Sequence, residues 1–295
     1  MNQAAFIRLL IIYGIMGGFL LIAGIFGIAC GWSDAQAEIL LVTAFHGVKE
    51  KPDMPWEIDR EGLDRIIRNF RRHGFEALPP GKFDEWRSGL IHGGRRFIMT
   101  FDDGLKTSGE YIRLIKKEFG IDSALFIVTD FLGKPGYLSR DEVAALASEG
   151  TLIGLHGKRH VEVPLLIASG TDMVIELSEA RKDLETLIGK PVTWYAYPFG
   201  EYNASASAAV ASAGLAFAFT IEGHDLYRSD KTMALPRLMY LRGAEKSGEP
   251  FIEDWFPPPQ ARTGGLTMIL GFFVCLLGAR FLLRARLIWL QWGKK

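Results

Sequence analysis

The sequence has little cysteine and no excess of either charge. Its two cysteines, Cys30 and Cys275, lie in apolar stretches near opposite ends of the 295-residue chain. The region between them therefore cannot be a disulfide-stabilised scaffold. With 34 basic and 34 acidic residues the formal net charge is zero, so nothing in the charge balance predicts binding to nucleic acid. Internal repeats and low-complexity tracts are also absent.

Long apolar runs occur only near the two ends. Residues 6–29 are interrupted by a single charge, Arg8, and are long enough to span a bilayer. Residues 263–279 form a second, shorter run, which is followed by a basic tail. By the positive-inside rule, Arg8 and this tail predict that both ends face the cytoplasm. The region between them is then expected outside the cytoplasm, in the periplasm or at the cell surface.

The terminal segments leave several interpretations open. Residues 1–37 form either an uncleaved membrane anchor or a signal peptide, because Ala35-Gln36-Ala37 is a cleavage signal. Lipidation at Cys30 is a third interpretation, although the residues before it make a poor lipobox. Residues 263–295 are expected to form a transmembrane segment with a basic tail, or residues 281–292 lie along the membrane surface instead. A proline-rich linker at residues 251–262 is expected to join this segment to the central domain.

Candidate metal ligands follow two apolar segments. Residues 96–99 predict a buried strand, and Thr100-Phe101-Asp102-Asp103-Gly104 follows. Adjacent carboxylates there are costly to desolvate without a positive partner. His156 and His160 follow the apolar segment 152–155. Each motif alone is also common as a turn or a surface pair, but one carboxylate with two imidazoles is typical of a catalytic zinc or iron-type site.

Strand and helix patterns alternate between residues 38 and 240. This alternation predicts an α/β domain with a parallel sheet, and the number of units favours a barrel. The candidate chemical residues fall where predicted strands end, which is where the active sites of such barrels lie.

Three motifs together resemble those of the polysaccharide deacetylase family (NodB homology, carbohydrate esterase family 4). They are Thr-Phe-Asp-Asp-Gly, His-x-x-x-His and Tyr197-Pro198-Phe199-Gly200, and the resemblance covers residues 39–240. It implies a distorted, incomplete (β/α) barrel over residues 38–250. It also implies a metal-dependent hydrolase that removes N-acetyl groups from a polysaccharide or other glycan. Zinc is the expected ion, with cobalt or nickel as alternatives.

The resemblance also implies roles for individual residues. Asp103, His156 and His160 correspond to the metal ligands, and Asp102 corresponds to the catalytic base. Residue chemistry alone does not order the two aspartates. The backbone N–H of Phe199 corresponds to a donor of the oxyanion hole.

Two further candidates come from the circularly permuted branch of the family, which includes deacetylases of poly-β-1,6-N-acetylglucosamine. His46, after the apolar run 39–45, resembles the first motif of this branch and is predicted to be the general acid. Ala196 stands where the family usually has an arginine, and Arg237, in Leu235-Pro236-Arg237, is predicted to replace that guanidinium. Gly157 stands where the histidine motif of the family usually has a serine or threonine.

The expected partners are the N-acetylated glycan, the lipid bilayer, and proteins of exopolysaccharide or cell-envelope assembly. Two alternative functions remain open: a deacetylase or deformylase of a lipid-linked sugar, and an inactive glycan-binding module, for which Ala196 is the motivation. Trp194, Tyr195 and Tyr202 are candidates for lining a sugar groove, although packing would also account for each of them.

Overall fold

The computed structural model describes residues 38–223 and 225–240. These residues contain eight strands: β1 (Ile39–Phe45), β2 (Phe75–Ala77), β3 (Arg95–Phe101), β4 (Ser123–Ile127), β5 (Leu152–Leu155), β6 (Trp194–Ala196), β7 (Phe217–Phe219) and β8 (Leu238–Met239). Seven α-helices accompany them in the described residues: α1 (Arg60–Arg72), α2 (Phe83–Arg87), α3 (Lys106–Phe119), α4 (Arg140–Ser148), α5 (Val163–Ala168), α6 (Met173–Ile188) and α7 (Ala204–Ser212).

All strand pairings in the sheet are parallel, as the alternating pattern predicts. The strands lie in the order β7-β6-β5-β4-β3-β1-β8, and β2 pairs with β3 beside this path. Phe219, the last residue of β7, forms a parallel bridge to Leu235, and β8, a few residues after Leu235, pairs with β1. The sheet is therefore curled into an incomplete barrel, and the chain around residues 235–239 contacts both β7 and β1.

Local sequence signals account for several of the helix boundaries. Asp59 and Asn203 accept backbone hydrogen bonds as N-caps of α1 and α7. Ser139 and Glu142 form the capping box that their spacing predicts at the start of α4. Gly189, with φ of 66°, ends α6 in the left-handed conformation that glycine adopts without strain.

The concave face of the sheet is filled with aromatic side chains. Helix α2 supplies Phe83 and Trp86, and Phe83 contacts Trp194 edge-on at 5.1 Å between ring centroids. Trp194 is 2% exposed and Tyr195 is fully buried, so of the two interpretations given for these residues, packing applies and a sugar groove does not. Tyr202 instead stacks on Tyr197 and donates a hydrogen bond to Glu222.

The predicted membrane segments at residues 1–37 and 263–295, and the linker at 251–262, lie outside the described residues. Within the described part of the chain, no helix combines the length and the apolar character needed to cross a bilayer.

Candidate metal centre

The two aspartates sit where β3 ends. Asp102 remains in register with the sheet, because its N–H donates to the Phe45 carbonyl at 2.8 Å. Asp103 then adopts φ of 71° and Gly104 φ of 75°, so the chain turns away from the strand direction. A left-handed backbone is uncommon outside glycine but is tolerated by aspartate. This turn gives the two adjacent carboxylates different surroundings.

His156 is buried at the end of β5, with 1% of its surface exposed. Its Nδ1 lies 2.8 Å from the Ala196 carbonyl oxygen. Since a carbonyl only accepts, Nδ1–H is the donor, which leaves Nε2 as the ligand atom. Burial lowers the pKa of His156 and outweighs the opposing effect of the two aspartates, so the imidazole is neutral near pH 7.

The three predicted metal ligands converge. Nε2 of His156 lies 3.5 Å from Oδ1 of Asp103, and Nε2 of His160 lies 3.2 Å from the same oxygen. One ligand atom from each residue falls within 4.8 Å of the others. Oδ1 of Asp103 is buried and has no hydrogen-bond partner in the described residues. A buried anionic oxygen facing two imidazole nitrogens fits a divalent cation of the zinc type.

Asp102 is oriented by an arginine from the far end of the domain. Nη1 of Arg237 donates to Oδ1 and Nη2 donates to Oδ2, both at 2.8 Å, and both side chains are almost fully buried. Burial alone would raise the pKa of Asp102, but the charge and the hydrogen bonds of the Arg237 guanidinium hold it well below its ordinary value. Asp102 is therefore ionised under physiological conditions.

Arg237 is itself fixed on every side. Nε donates to the Thr220 carbonyl at 3.1 Å, and Nη1 also donates to Oγ1 of Thr100 at 2.9 Å. The guanidinium carbon lies 5.1 Å from the Phe126 ring centroid. Ala196, at the usual position of the family arginine, is fully buried. The guanidinium thus reaches Asp102 from the segment preceding β8 instead of from β6.

His46 lies directly after β1, beside the aspartates. The parallel register sets Phe45 opposite Phe101, so His46 and Asp102 occupy equivalent places on neighbouring strands. Nδ1 of His46 is buried and lacks a hydrogen-bond partner in the described residues. The His46 carbonyl accepts a 2.6 Å hydrogen bond from the Ser108 hydroxyl on α3, which anchors this corner of the site.

Phe199 borders the centre on the side of β6. The residue is 55% exposed and adopts φ of 61°, and its ring centroid lies 4.6 Å from that of His160. Gly200 follows with φ of 74°, and a Cβ there would lie 2.3 Å from Cγ1 of Ile221. Glycine is thus required at position 200 for both the backbone conformation and the available space.

The sequence reasoning missed two rim residues, Phe131 and Tyr137. The Phe131 ring lies 6.1 Å from the ring of His160, and the Tyr137 ring lies 4.8 Å from that of Phe131. The signal available in the sequence was the position of Phe131 shortly after the apolar strand β4, at the same edge of the sheet as the other candidates.

Comparison with known proteins shows which family the chain is similar to. Residues 91–218 match the polysaccharide deacetylase family model, and the predicted resemblance to this family is confirmed. The Bacillus subtilis (strain 168) protein YxkH, whose name assigns it to the polysaccharide deacetylases, is 23% identical over 150 residues. That match covers 51% of this chain and 53% of YxkH, so the chain spans about half the length of this curated relative.

Solved structures share the fold. IcaB from Ammonifex degensii superposes with a TM-score of 0.62 at 20% identity, covering 70% of this chain and 93% of that one. A de-N-acetylase from Aggregatibacter actinomycetemcomitans gives 0.59 at 18% identity, covering 68% and 94%. The predicted parallel α/β fold of the deacetylase type is therefore confirmed. His46 and Arg237 lie outside the residues that match the family model.

Proposed function

We propose that this protein is a metal-dependent hydrolase that removes N-acetyl groups from an N-acetylated glycan outside the cytoplasm. The observation that carries the proposal is the pairing of two carboxylates in one site. Asp103 faces two imidazole nitrogens, while Asp102 is held beside them in a buried ion pair. The match of residues 91–218 to the polysaccharide deacetylases supplies the reaction class.

Asp103, His156 and His160 would hold the cation, with zinc as the proposed ion. When bound, the cation acts as a Lewis acid that lowers the pKa of water and polarises the acetyl carbonyl. The Ala196 carbonyl accepts a hydrogen bond from Nδ1–H of His156, which fixes the ring orientation of this ligand.

Asp102 is assigned as the general base. It lies 4.0 Å from Nε2 of His156, close to the ligands, but both of its oxygens are committed to Arg237. This pair keeps the carboxylate ionised and fixes its orientation, at the expense of its basicity. Because Arg237 supplies the guanidinium that position 196 lacks, the site retains the parts of an active enzyme, which disfavours an inactive binding module.

His46 and Phe199 complete the proposed chemistry. His46 would protonate the leaving amine, since amide cleavage needs an acid and the buried Nδ1 of His46 has no competing partner in the described residues. The backbone N–H of Phe199 would donate to the oxyanion that develops on the acetyl carbonyl. The position of Phe199 against His160 supports this assignment.

The extracytoplasmic location is proposed from the sequence. Arg8 near the start of the first apolar run and the basic tail after the second run both favour the cytoplasmic side. The catalytic domain between the two runs would then lie on the opposite side of the membrane. A glycan of the cell envelope or an exopolysaccharide would be encountered there.

Acetate release tests the function. The full-length chain, purified in a mild detergent and loaded with zinc, is incubated with N-acetylglucosamine oligomers of β-1,4 and β-1,6 linkage beside Asp102→Asn and His156→Ala variants. We expect release by the wild type and its loss in both variants. Failure of a folded, zinc-loaded wild type to release acetate from either linkage would contradict the proposal.

A further inference from the structure

One loop is hydrogen-bonded to both chain segments that carry the proposed metal ligands. This rim loop, residues 128–139, runs from β4 to α4. At its start, the N–H groups of Thr129 and Asp130 donate to the carbonyls of Gly157 and Lys158, between the two histidine ligands, at 3.3 and 3.0 Å.

The other end of the rim loop is bonded to the chain after Asp103. Leu138 donates to the Gly104 carbonyl at 2.9 Å, and Lys106 donates to the Gly136 carbonyl at 2.9 Å. Leu105 and Tyr137 form an antiparallel bridge. The rim loop is therefore fixed to the aspartate segment as well as to the histidine segment.

The rim loop is also held by bonds within itself. Phe131 donates to Val128, Lys134 to Phe131, and Tyr137 to Lys134, each at 3.0 Å. A loop bonded internally and at both ends loses little conformational freedom when a ligand binds, so contacts on it contribute efficiently to affinity.

The rim loop presents an aromatic pair next to a metal ligand. The rings of Phe131 and Tyr137 lie 4.8 Å apart and the two residues are half-buried. The ring centroid of Phe131 lies 6.1 Å from that of His160, and the ring centroid of Phe199 lies 4.6 Å from it. Two different segments therefore place aromatic rings next to this imidazole. The ammonium of Lys134 lies 4.9 Å from the Phe131 ring centroid.

Tyr137 adds a polar group to this wall. Its hydroxyl has no hydrogen-bond partner in residues 38–223 and 225–240, whereas Tyr197 and Tyr202 both use theirs within the fold. A tyrosine hydroxyl is protonated near neutral pH and can donate a hydrogen bond. Such a donor beside apolar rings is typical of small-molecule sites.

We propose that Phe131 and Tyr137 form a sugar-binding wall for the glycan at this site, with Tyr137 as a specificity-determining residue. A pyranose ring offers an apolar face of C–H groups and a rim of hydroxyl and ether oxygens. The aromatic pair contacts the apolar face of a sugar unit, and the Tyr137 hydroxyl donates to one of its oxygens. This inference rests on the proposed function, because it concerns the substrate of the same site.

Binding of a product oligomer tests the wall separately from catalysis. The full-length, zinc-loaded chain is titrated calorimetrically with glucosamine pentamers of β-1,4 and β-1,6 linkage, which carry no acetyl group and are not consumed. The variants are Phe131→Ala, Tyr137→Ala and Tyr137→Phe, with Tyr227→Phe as the matched control on an exposed tyrosine. Zinc content and thermal unfolding are measured for each variant.

Both alanine variants are expected to weaken binding about 10-fold or more, which corresponds to about 1.4 kcal/mol of binding free energy. Tyr137→Phe should weaken binding by a smaller factor, because it removes only the hydroxyl. Zinc content and the Tyr227→Phe affinity should not change. Unaltered affinity in the alanine variants, or no binding of either pentamer to the zinc-loaded wild type, would overturn the wall. Pentamer binding without acetate release would instead count against the proposed reaction and leave the wall in place.

A structural role for Phe131 and Tyr137 predicts a different pattern. If the pair only packed the rim loop, Tyr137→Phe would bind like the wild type. Hydrolysis of a small acetyl ester such as 4-methylumbelliferyl acetate would then fall in the alanine variants by the same factor as glycan turnover. The wall predicts that glycan KM rises while ester hydrolysis is preserved.

Discussion

Arg237 donates two parallel hydrogen bonds of 2.8 Å to Asp102, although the two residues are 135 positions apart in the sequence. The pair is almost fully buried, and Thr100, Thr220 and Phe126 surround the guanidinium. A buried carboxylate that loses such a partner remains as an uncompensated charge. This relationship makes Arg237 important for both stability and the proposed catalysis.

Arg237→Met should destabilise the protein by about 3–5 kcal/mol, because it leaves the buried charge of Asp102 unpaired. Arg237→Lys keeps the charge but not the two-pronged geometry, so activity should fall more than stability. Arg140→Met is the matched control, since Arg140 also makes two hydrogen bonds to one carboxylate, Asp183, but on the surface. Its effect should stay within about 1 kcal/mol. Thermal unfolding and acetate release distinguish the variants, and equal destabilisation by both methionine variants would argue against the buried pair.

His46→Gln should affect substrates according to their leaving group. An amide nitrogen must be protonated to leave, whereas the phenol-type leaving group of 4-methylumbelliferyl acetate departs as an anion. We therefore expect kcat for deacetylation of N-acetylglucosamine oligomers to fall about 10²- to 10⁴-fold, with a much smaller loss on the ester. His92→Gln, on an exposed loop, is the control. Equal losses on the two substrates would mean that His46 is not the acid.

The stability of the metal-free protein should depend on pH through His156. Burial lowers the pKa of His156 in the folded state, whereas the unfolded chain has the ordinary value of about 6.5. Below that pH the unfolded state binds the proton more readily, so this contribution to stability is complete above about pH 6.5 and decreases as the pH falls. Melting curves of the wild type and His156→Gln between pH 5 and 7.5 should show the wild type losing stability relative to the variant at the acidic end. A constant difference would contradict the buried neutral imidazole.

Gly200→Ala should damage the site through its backbone. A methyl group at this position would meet Ile221 at 2.3 Å, and φ of 74° is unfavourable for alanine. The neighbouring Phe199 would shift away from His160, and acetate release should drop while zinc content is preserved. Gly170→Ala is a suitable control, because its φ of 87° imposes similar strain and a Cβ there meets nothing within 4 Å. If both variants kept wild-type activity, the position of the Phe199 backbone would not matter for the reaction.

Local patterns predicted most of the fold because each signal lies within a few residues. Apolar runs, the Ser139–Glu142 capping box and the glycine after α6 fixed the elements and their order. Two short elements were missed. Strand β2 has three residues and pairs only with the start of β3, and α5 has six residues, so neither shows a periodic pattern.

The site was only partly predictable, for a similar reason. Motifs identify the metal ligands because those residues lie in two short segments. The chemistry of single residues could not say which tryptophan or tyrosine reaches the rim. Trp194 lies in the apolar strand β6, and its side chain is inside the curled sheet. Phe131 comes shortly after the apolar strand β4, and its side chain lies beside His160. That distinction depends on which way each side chain points in the folded sheet.

A zinc titration shows whether acetate release depends on a metal ion bound at this site. Zinc is removed from the full-length chain with a chelator and restored stepwise, while bound metal and acetate release from N-acetylglucosamine oligomers are measured on the same samples. We expect activity to rise in proportion to bound zinc and to stop rising at one ion per chain, and we expect Asp103→Asn to bind zinc far more weakly. Acetate release at full rate by the zinc-free protein, or activity that does not follow the bound metal, would contradict it.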